Sequence, residues 1–163
     1  MADIQYNFIN LPSRIEFENG HVISYLYDAD GIKLRTTHII GSDTTVTDYC
    51  GNVIYENGIP VKLLTEAGYV TLADSKYHYF VQDHLGNNRV VVDQSGNVEE
   101  VNHYYPFGGL LSSSVSNAVQ PYKYNGKELD RKNGLDWYDY GACMYDAALG
   151  RWHAVDPMSE KYY

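Results

Sequence analysis

Cysteine is scarce. Cys50 and Cys143 are the only two in 163 residues, too few for the disulfide framework that staples a small secreted fold. They read as two unrelated free thiols, and a zinc site would need more ligands. Basic charge is short as well. Twelve Lys and Arg against 21 Asp and Glu leave a net charge of −9. That excludes nucleic acid as the expected partner, because phosphates need clustered cations. The nearest thing to a basic cluster is Lys123, Lys127, Arg131 and Lys132. Glu128 and Asp130 interrupt it, so it reads as a solvated loop. No apolar run reaches membrane-spanning length, so no membrane span is expected. The opening MADIQYNFINLPSRIEF has no basic start and no apolar stretch with a cleavage site, so it is not read as a signal peptide. The compartment stays unread. Gly-rich phosphate loops, triad cues and zinc motifs are also missing, which leaves no expected cofactor and no expected metal.

Tyrosine and glycine are plentiful, at 17 and 14 residues. Tyr puts a large apolar ring on a half-buried pleated surface and keeps a hydroxyl for a partner. The glycines punctuate. Gly20, Gly31, Gly41, Gly51, Gly58 and Gly68 fall about ten residues apart, and Gly86 and Gly96 resume the spacing. Pairs such as Asp30-Gly31, Asn57-Gly58, Ser95-Gly96 and Asn125-Gly126 supply the positive φ of tight hairpins. Between them fit short strands: 21–27, 32–40, 43–49, 52–55, 60–64, 69–73, 77–82, 88–93 and 98–105. A short helix is expected over Met158–Tyr163, and the Ser112–Ser116 patch reads as an exposed loop. Turns every 8–12 residues mark an all-β chain. The unit repeats: YLYDADGIKLR at 25–35 and the turns Asp83-His84-Leu85-Gly86 and Asp93-Gln94-Ser95-Gly96 share one form. In each, the Asp carboxylate accepts from its own turn and Gly takes the angle an L-residue resists. The tyrosines are expected to pack as cross-strand aromatic pairs.

Ordered motifs close the chain. Asp83-His84-Leu85-Gly86-Asn87 leads to Tyr105-Pro106-Phe107-Gly108 and then Tyr124-Asn125-Gly126-Lys127-Glu128. Gly134-Leu135, Tyr138-Asp139-Tyr140-Gly141-Ala142, Tyr145-Asp146, Leu149-Gly150-Arg151-Trp152 and Asp156-Pro157 follow. This series resembles the Rhs/YD-repeat family, and in particular its repeat-associated core. The variant with KELD, GLDWYDYGA and EKYY resembles versions from Bacteroidetes bacteria. The resemblance implies residues 1–76 as degenerate YD-type β repeats and 77–163 as the core, in one continuous structural unit. The implied fold is a twisted antiparallel repeat sheet of hairpins, a partial Rhs-type β-shell. The implied role is architectural: the end-closing segment of a polymorphic toxin or secreted shell protein. In such proteins a C-terminal toxin is the partner, and the setting is secreted or cell-surface. Tyr138, Asp139, Gly141, Tyr145, Asp146, Gly150, Trp152 and Pro157 are then motif residues that build the core.

Many family members also cut themselves after the core with a pair of aspartates. Asp156, with Arg151 nearby, matches one half of that site. The second Asp and the scissile segment have no counterpart before Tyr163. Aspartyl chemistry needs two carboxylates sharing one proton, so the expectation is no enzyme. Two departures add to this: Cys143 stands where the family usually has Arg, and Ala147 where it usually has Pro. Arg151 is expected to pack, for instance on Trp152.

Other candidates are weaker. His78, Asp83 and His84 do not converge if 77–82 is a strand, since His78 and Tyr79 then face opposite ways. Asp28 and Asp30 open an EF-hand-like DADG, but the twelfth position is Ile39, not Glu. The Tyr138–Tyr145 run could serve as a carbohydrate platform, yet cross-strand packing is the plainer reading. Open sheet edges or a concave Tyr-rich face are expected to drive homo-oligomer formation.

Overall fold

The computed structural model describes residues 3–112, 114–116, 120–141 and 143–155. Asp156, Pro157 and the helix expected over 158–163 lie outside the described residues.

The described residues form two antiparallel β-sheets, with short 3-10 turns at Tyr124–Gly126 and Lys132–Gly134. The large sheet has twelve strands in sequence order. It opens with β1 (Asp3–Tyr6), β2 (Pro12–Glu16), β3 (Val22–Tyr27) and β4 (Lys33–Ile40). It continues through β5 (Asp43–Cys50), β6 (Val53–Glu56), β7 (Ile59–Thr65) and β8 (Gly68–Thr71). It ends with β9 (Lys76–Gln82), β10 (Asn88–Asp93), β11 (Val98–Val101) and β12 (Val115–Ser116). The small sheet has four strands: β13 (Glu128–Asp130), β14 (Trp137–Asp139), β15 (Met144–Asp146) and β16 (Arg151–Trp152). Among the described residues no helix is long and apolar enough to cross a membrane.

One five-residue turn makes most of the hairpins at the two ends of the large sheet. In Asp83–Asn87 the Asp83 N–H donates to the Asn87 carbonyl at 3.1 Å, and the Gly86 N–H donates to the Asp83 carbonyl at 2.9 Å. The Asp83 carboxylate accepts from the Leu85 and Asn87 N–H groups at 3.0 and 3.1 Å. Gly86 sits at φ +78°, the left-handed residue that closes a type I turn with a bulge. The same backbone pair recurs at 7–11, 17–21, 28–32, 93–97, 105–109 and 123–127. Asp28 and Asp93 repeat the side-chain bonds, and Asn7 does so with an amide oxygen. Asp83→Ala leaves two backbone donors without their acceptor, so a loss of about 1–2 kcal/mol is expected in denaturant unfolding.

The middle of the sheet turns more tightly. Ile40 pairs with Asp43, Cys50 with Val53, Glu56 with Ile59 and Thr65 with Gly68, each across two residues. Gly68 is fixed by a neighbour. Its φ is +155°, and a Cβ there would collide with the His78 carbonyl oxygen of β9. Gly68→Ala should therefore separate β8 from β9, at a cost of at least about 1–3 kcal/mol from the strained backbone alone. Loss of amide protection confined first to 68–82 in hydrogen exchange is the expected signature.

Two strands were not anticipated. β1 and β2 join through Asn7–Leu11, where Asn10 at φ +59° takes the place that glycine marks elsewhere. Two expected features change. Strand 98–105 stops at Val101, because 105–109 forms its own turn. The Ser112–Ser116 loop is a loop only in part, since Val115 and Ser116 pair with Val101 and Glu100 as β12.

The core lies between the sheets. Ile15, Ile23 and Tyr25 of the large sheet pack against Leu135, Trp137 and Met144, with Ile4, Phe17 and Tyr27 at the margin. We call this the inner face of the large sheet. Trp137 and Tyr138 are adjacent in sequence and both only 1% exposed. A strand can do this only if both of its faces are covered. Trp137 meets the large sheet, while the Tyr138 hydroxyl donates to the Gly108 carbonyl at 2.9 Å in the 105–109 turn.

Candidate functional site

The polar chemistry is concentrated between the sheets, around a cavity of about 430 Å³. Its walls include Tyr25, Lys33, His38 and Tyr49 from the large sheet and Glu128, Asp130 and Asp139 from the small one. At the junction itself Lys33 and His38 of the large sheet face Glu128, Asp130 and Asp139 of the small one, while Glu56, Lys62, Lys123, Arg131 and Lys132 also line the cavity.

Lys33 is the first node. Its Nζ lies 2.7 Å from Glu128 Oε2 and 2.7 Å from Asp139 Oδ2. It also stands over the Tyr49 ring at 4.6 Å, whose hydroxyl donates to Glu128 Oε1 at 2.7 Å. Burial alone would lower the Lys33 pKa. The surrounding Glu128, Tyr49 and Asp139 outweigh it and raise it well above the ordinary value. Asp130 is the second node. It takes His38 Nε2 at 2.9 Å, the Tyr25 hydroxyl at 3.0 Å and the Lys132 N–H at 3.1 Å. Burial pushes its pKa up, yet the His38, Lys132 and Tyr25 bonds win and hold it below the usual carboxylate range.

The two shifts bound the pH response. A lowered Asp130 contributes stability that is present above its unfolded value near ~3.9 and lost as pH falls through the lower folded pKa. A raised Lys33 contributes stability present below ~10.4 and lost as pH rises through its higher folded pKa. The contributions from these two shifts are therefore both present across neutral pH. Asp130→Asn should flatten the acid limb of a stability–pH profile while lowering stability at pH 7.

Lys123 corrects the solvated-loop reading of the basic cluster. It is buried, with Nζ 2.6 Å from the buried Glu100 Oε1 of β11. Gln120 Nε2 donates to the same carboxylate at 2.8 Å, and Asn102 donates to it as well. Burial is the main influence on Lys123 and lowers its pKa despite Glu100. The loop goes inward because the large sheet supplies a buried acid. Arg131, by contrast, is exposed and pairs with Asp136 at 2.9 Å.

The sequence motifs serve turns and packing. Asp139 accepts from the Gly141 N–H at 2.7 Å, with Gly141 at φ +84°. Asp146 accepts from the Ala148 and Leu149 N–H groups at 2.8 and 3.1 Å. Each Tyr-Asp pair thus ends a strand with a ring and starts a turn with a carboxylate. The Tyr145 hydroxyl reaches the Phe107 carbonyl at 3.0 Å, and the Phe107 ring lies over Gly150. Trp152, 52% exposed, packs beside Tyr140 and Tyr145 with ring centroids 4.9 and 5.0 Å away. Arg151 is exposed on β16, in register with Asp146. Cys143 is buried and Cys50 exposed, and neither forms a disulfide.

The Tyr138–Tyr145 run is not an open platform, because Tyr138 is inside. Tyr25 and Tyr69 of the large sheet are buried too. The exposed ring pair is Tyr77 and Tyr79 of β9, stacked at 6.5 Å along one strand instead of across two. His78 turns the other way, to Glu99 at 2.6 Å and Thr71 at 3.0 Å, while His84 sits exposed in the turn. Among the described residues no three His, Cys, Asp or Glu side chains gather to hold a metal.

The sequence matches the teneurin YD-shell family over residues 62–162. The chain belongs to that family. It is an Rhs/YD-repeat protein, and the all-antiparallel shell architecture agrees. The salivary gland surface protein 1 of Aedes aegypti is 29% identical over 173 residues, covering 91% of the chain and 5% of that protein. Toxin subunit YenC1 of Yersinia entomophaga is 30% identical over 128 residues, covering 68% of the chain and 13% of the subunit. The fold is shared with TcdB2-TccC3, at TM-score 0.76, 18% identity, and coverage of 95% of the chain and 9% of the other. It is shared equally with the Photorhabdus luminescens Tc holotoxin pore, at TM-score 0.79, 18% identity, 96% and 9%. The chain thus spans a small fraction of each of these proteins.

Reading the sequence alone missed Lys33, His38 and Glu100 as partners. One signal was present. In Glu128-Leu129-Asp130 the two acids alternate with a leucine, so a strand there must place both carboxylates on one face.

Proposed function

We propose that this chain is an architectural shell segment, the end-closing core piece of a larger Rhs-type toxin or secreted shell protein, with no catalytic site of its own. Residues 1–76 serve as repeats and 77–163 as the core. The observation that carries this reading is the buried polar junction of Lys33 and His38 with Glu128, Asp130 and Asp139. It commits these five titratable groups to holding two sheets together. In a longer protein the C-terminal partner would be a toxin. Relatives named as a surface protein and as toxin subunits support an extracellular setting.

Intact-mass spectrometry after prolonged incubation tests the absence of catalysis. One unchanged species is expected. A specific internal cut abolished by Asp156→Asn would overturn the reading in favour of an aspartyl autoprotease remnant. Self-association through the edge strands β1 and β16 is the partner expectation, and light scattering showing only monomer at high concentration would contradict it.

A further inference from the structure

His153 belongs to neither the polar junction nor the sequence motifs. Its ring lies against Trp137, with centroids 3.5 Å apart and planes tilted by 32°. Its Nε2 is buried without a hydrogen-bond partner among the described residues. The facing charge is Asp146 of β15, whose Oδ2 is 3.9 Å away, beyond hydrogen-bond reach. The backbone on either side of this ring is tied to two elements. The His153 N–H donates to the Met144 carbonyl of β15 at 2.9 Å. The His153 carbonyl accepts from the Tyr6 hydroxyl of β1 at 3.5 Å. Arg151 of the preceding strand β16 is exposed. The ring is therefore the wedge that pins 151–155 to the core.

We infer that His153 is an acid-sensitive latch: neutral, it holds residues 151–155 against β14 and β15, and protonated, it lets them go. An imidazolium needs an acceptor for each N–H, and Nε2 has none among the described residues. Burial lowers the His153 pKa, and Asp146 opposes this only in part. With a lowered folded pKa, the stabilisation is present above the unfolded value near ~6.5 and lost as pH falls through the folded pKa. The latch lies three residues before Asp156 in the sequence.

Trp137 reports on the latch directly, since a protonated imidazole in contact with an indole quenches its emission and departure of the ring restores it. The experiment follows emission of Trp152→Phe between pH 8 and pH 4, with and without His153→Gln. A pH-dependent change with a midpoint below 6.5 is expected, absent in His153→Gln. Hydrogen exchange on the unaltered chain runs in parallel. Amides of 151–155 should lose protection through the same window while β13 and β14 keep theirs. An emission change that survives in His153→Gln would overturn the latch. So would protection of 151–155 that is unchanged across the transition.

Discussion

Lys33→Met is expected to lower the unfolding free energy by about 3–5 kcal/mol, the cost of leaving a buried charge without its partner. Two acids lose their cation at once, because Glu128 and Asp139 both lie 2.7 Å from Nζ. The Lys33 side chain is 9% exposed, so water cannot replace it in place. The pairing itself need not be strongly stabilising. Desolvation of three charged groups offsets much of the attraction, and a neutral set can do as well. Adding Glu128→Gln and Asp139→Asn to Lys33→Met should therefore restore most of the loss. Urea titrations of the single, double and triple variants check this. Lys33→Met within about 1 kcal/mol of the unaltered chain would mean that the junction is wet and mobile.

Trp137→Ala is expected to cost about 3–5 kcal/mol, the range for a large side chain removed from a packed core. Trp137 joins Ile15, Ile23, Tyr25, Leu135 and Met144 in the contact between the sheets. The second tryptophan supplies the contrast. Trp152 is half exposed and packs on one side only, so Trp152→Ala should cost about 1 kcal/mol, the worth of an aromatic pair. Thermal or chemical unfolding of the two variants separates them. Equal losses would mean that Trp137 is no more part of the core than Trp152.

Local chemistry was legible in the residues. Asp-x-x-Gly turns, left-handed glycines and alternating strands all follow from backbone rules that act over five to ten residues. β3, β5, β9 and β10 fall within a residue of where those rules put them. β1 and β2 escaped because Asn10 stands in the left-handed position and no glycine announces the turn. What joins the sheets escaped for a different reason. The contacts Lys33–Glu128, His38–Asp130 and Tyr25–Asp130 span 95, 92 and 105 residues. Nothing local tells a lysine on β4 which carboxylate will meet it. The same blindness made Lys123 look solvated, since Glu100 reaches it only once the sheet has folded back. The buried Tyr138 is a further case. Its strand is covered on both faces by segments that local alternation does not see.

The central claim is that the four-stranded sheet and the twelve-stranded sheet are one cooperative structure joined by a buried polar junction. Equilibrium unfolding of the Trp152→Phe chain tests it most directly, followed in parallel by Trp137 emission, which reports on the small sheet, and by far-ultraviolet circular dichroism, which is dominated by the large one. The account predicts coincident transitions with a single midpoint at neutral pH. Loss of the Trp137 signal at a distinctly lower denaturant concentration, with the β signal intact, would contradict it.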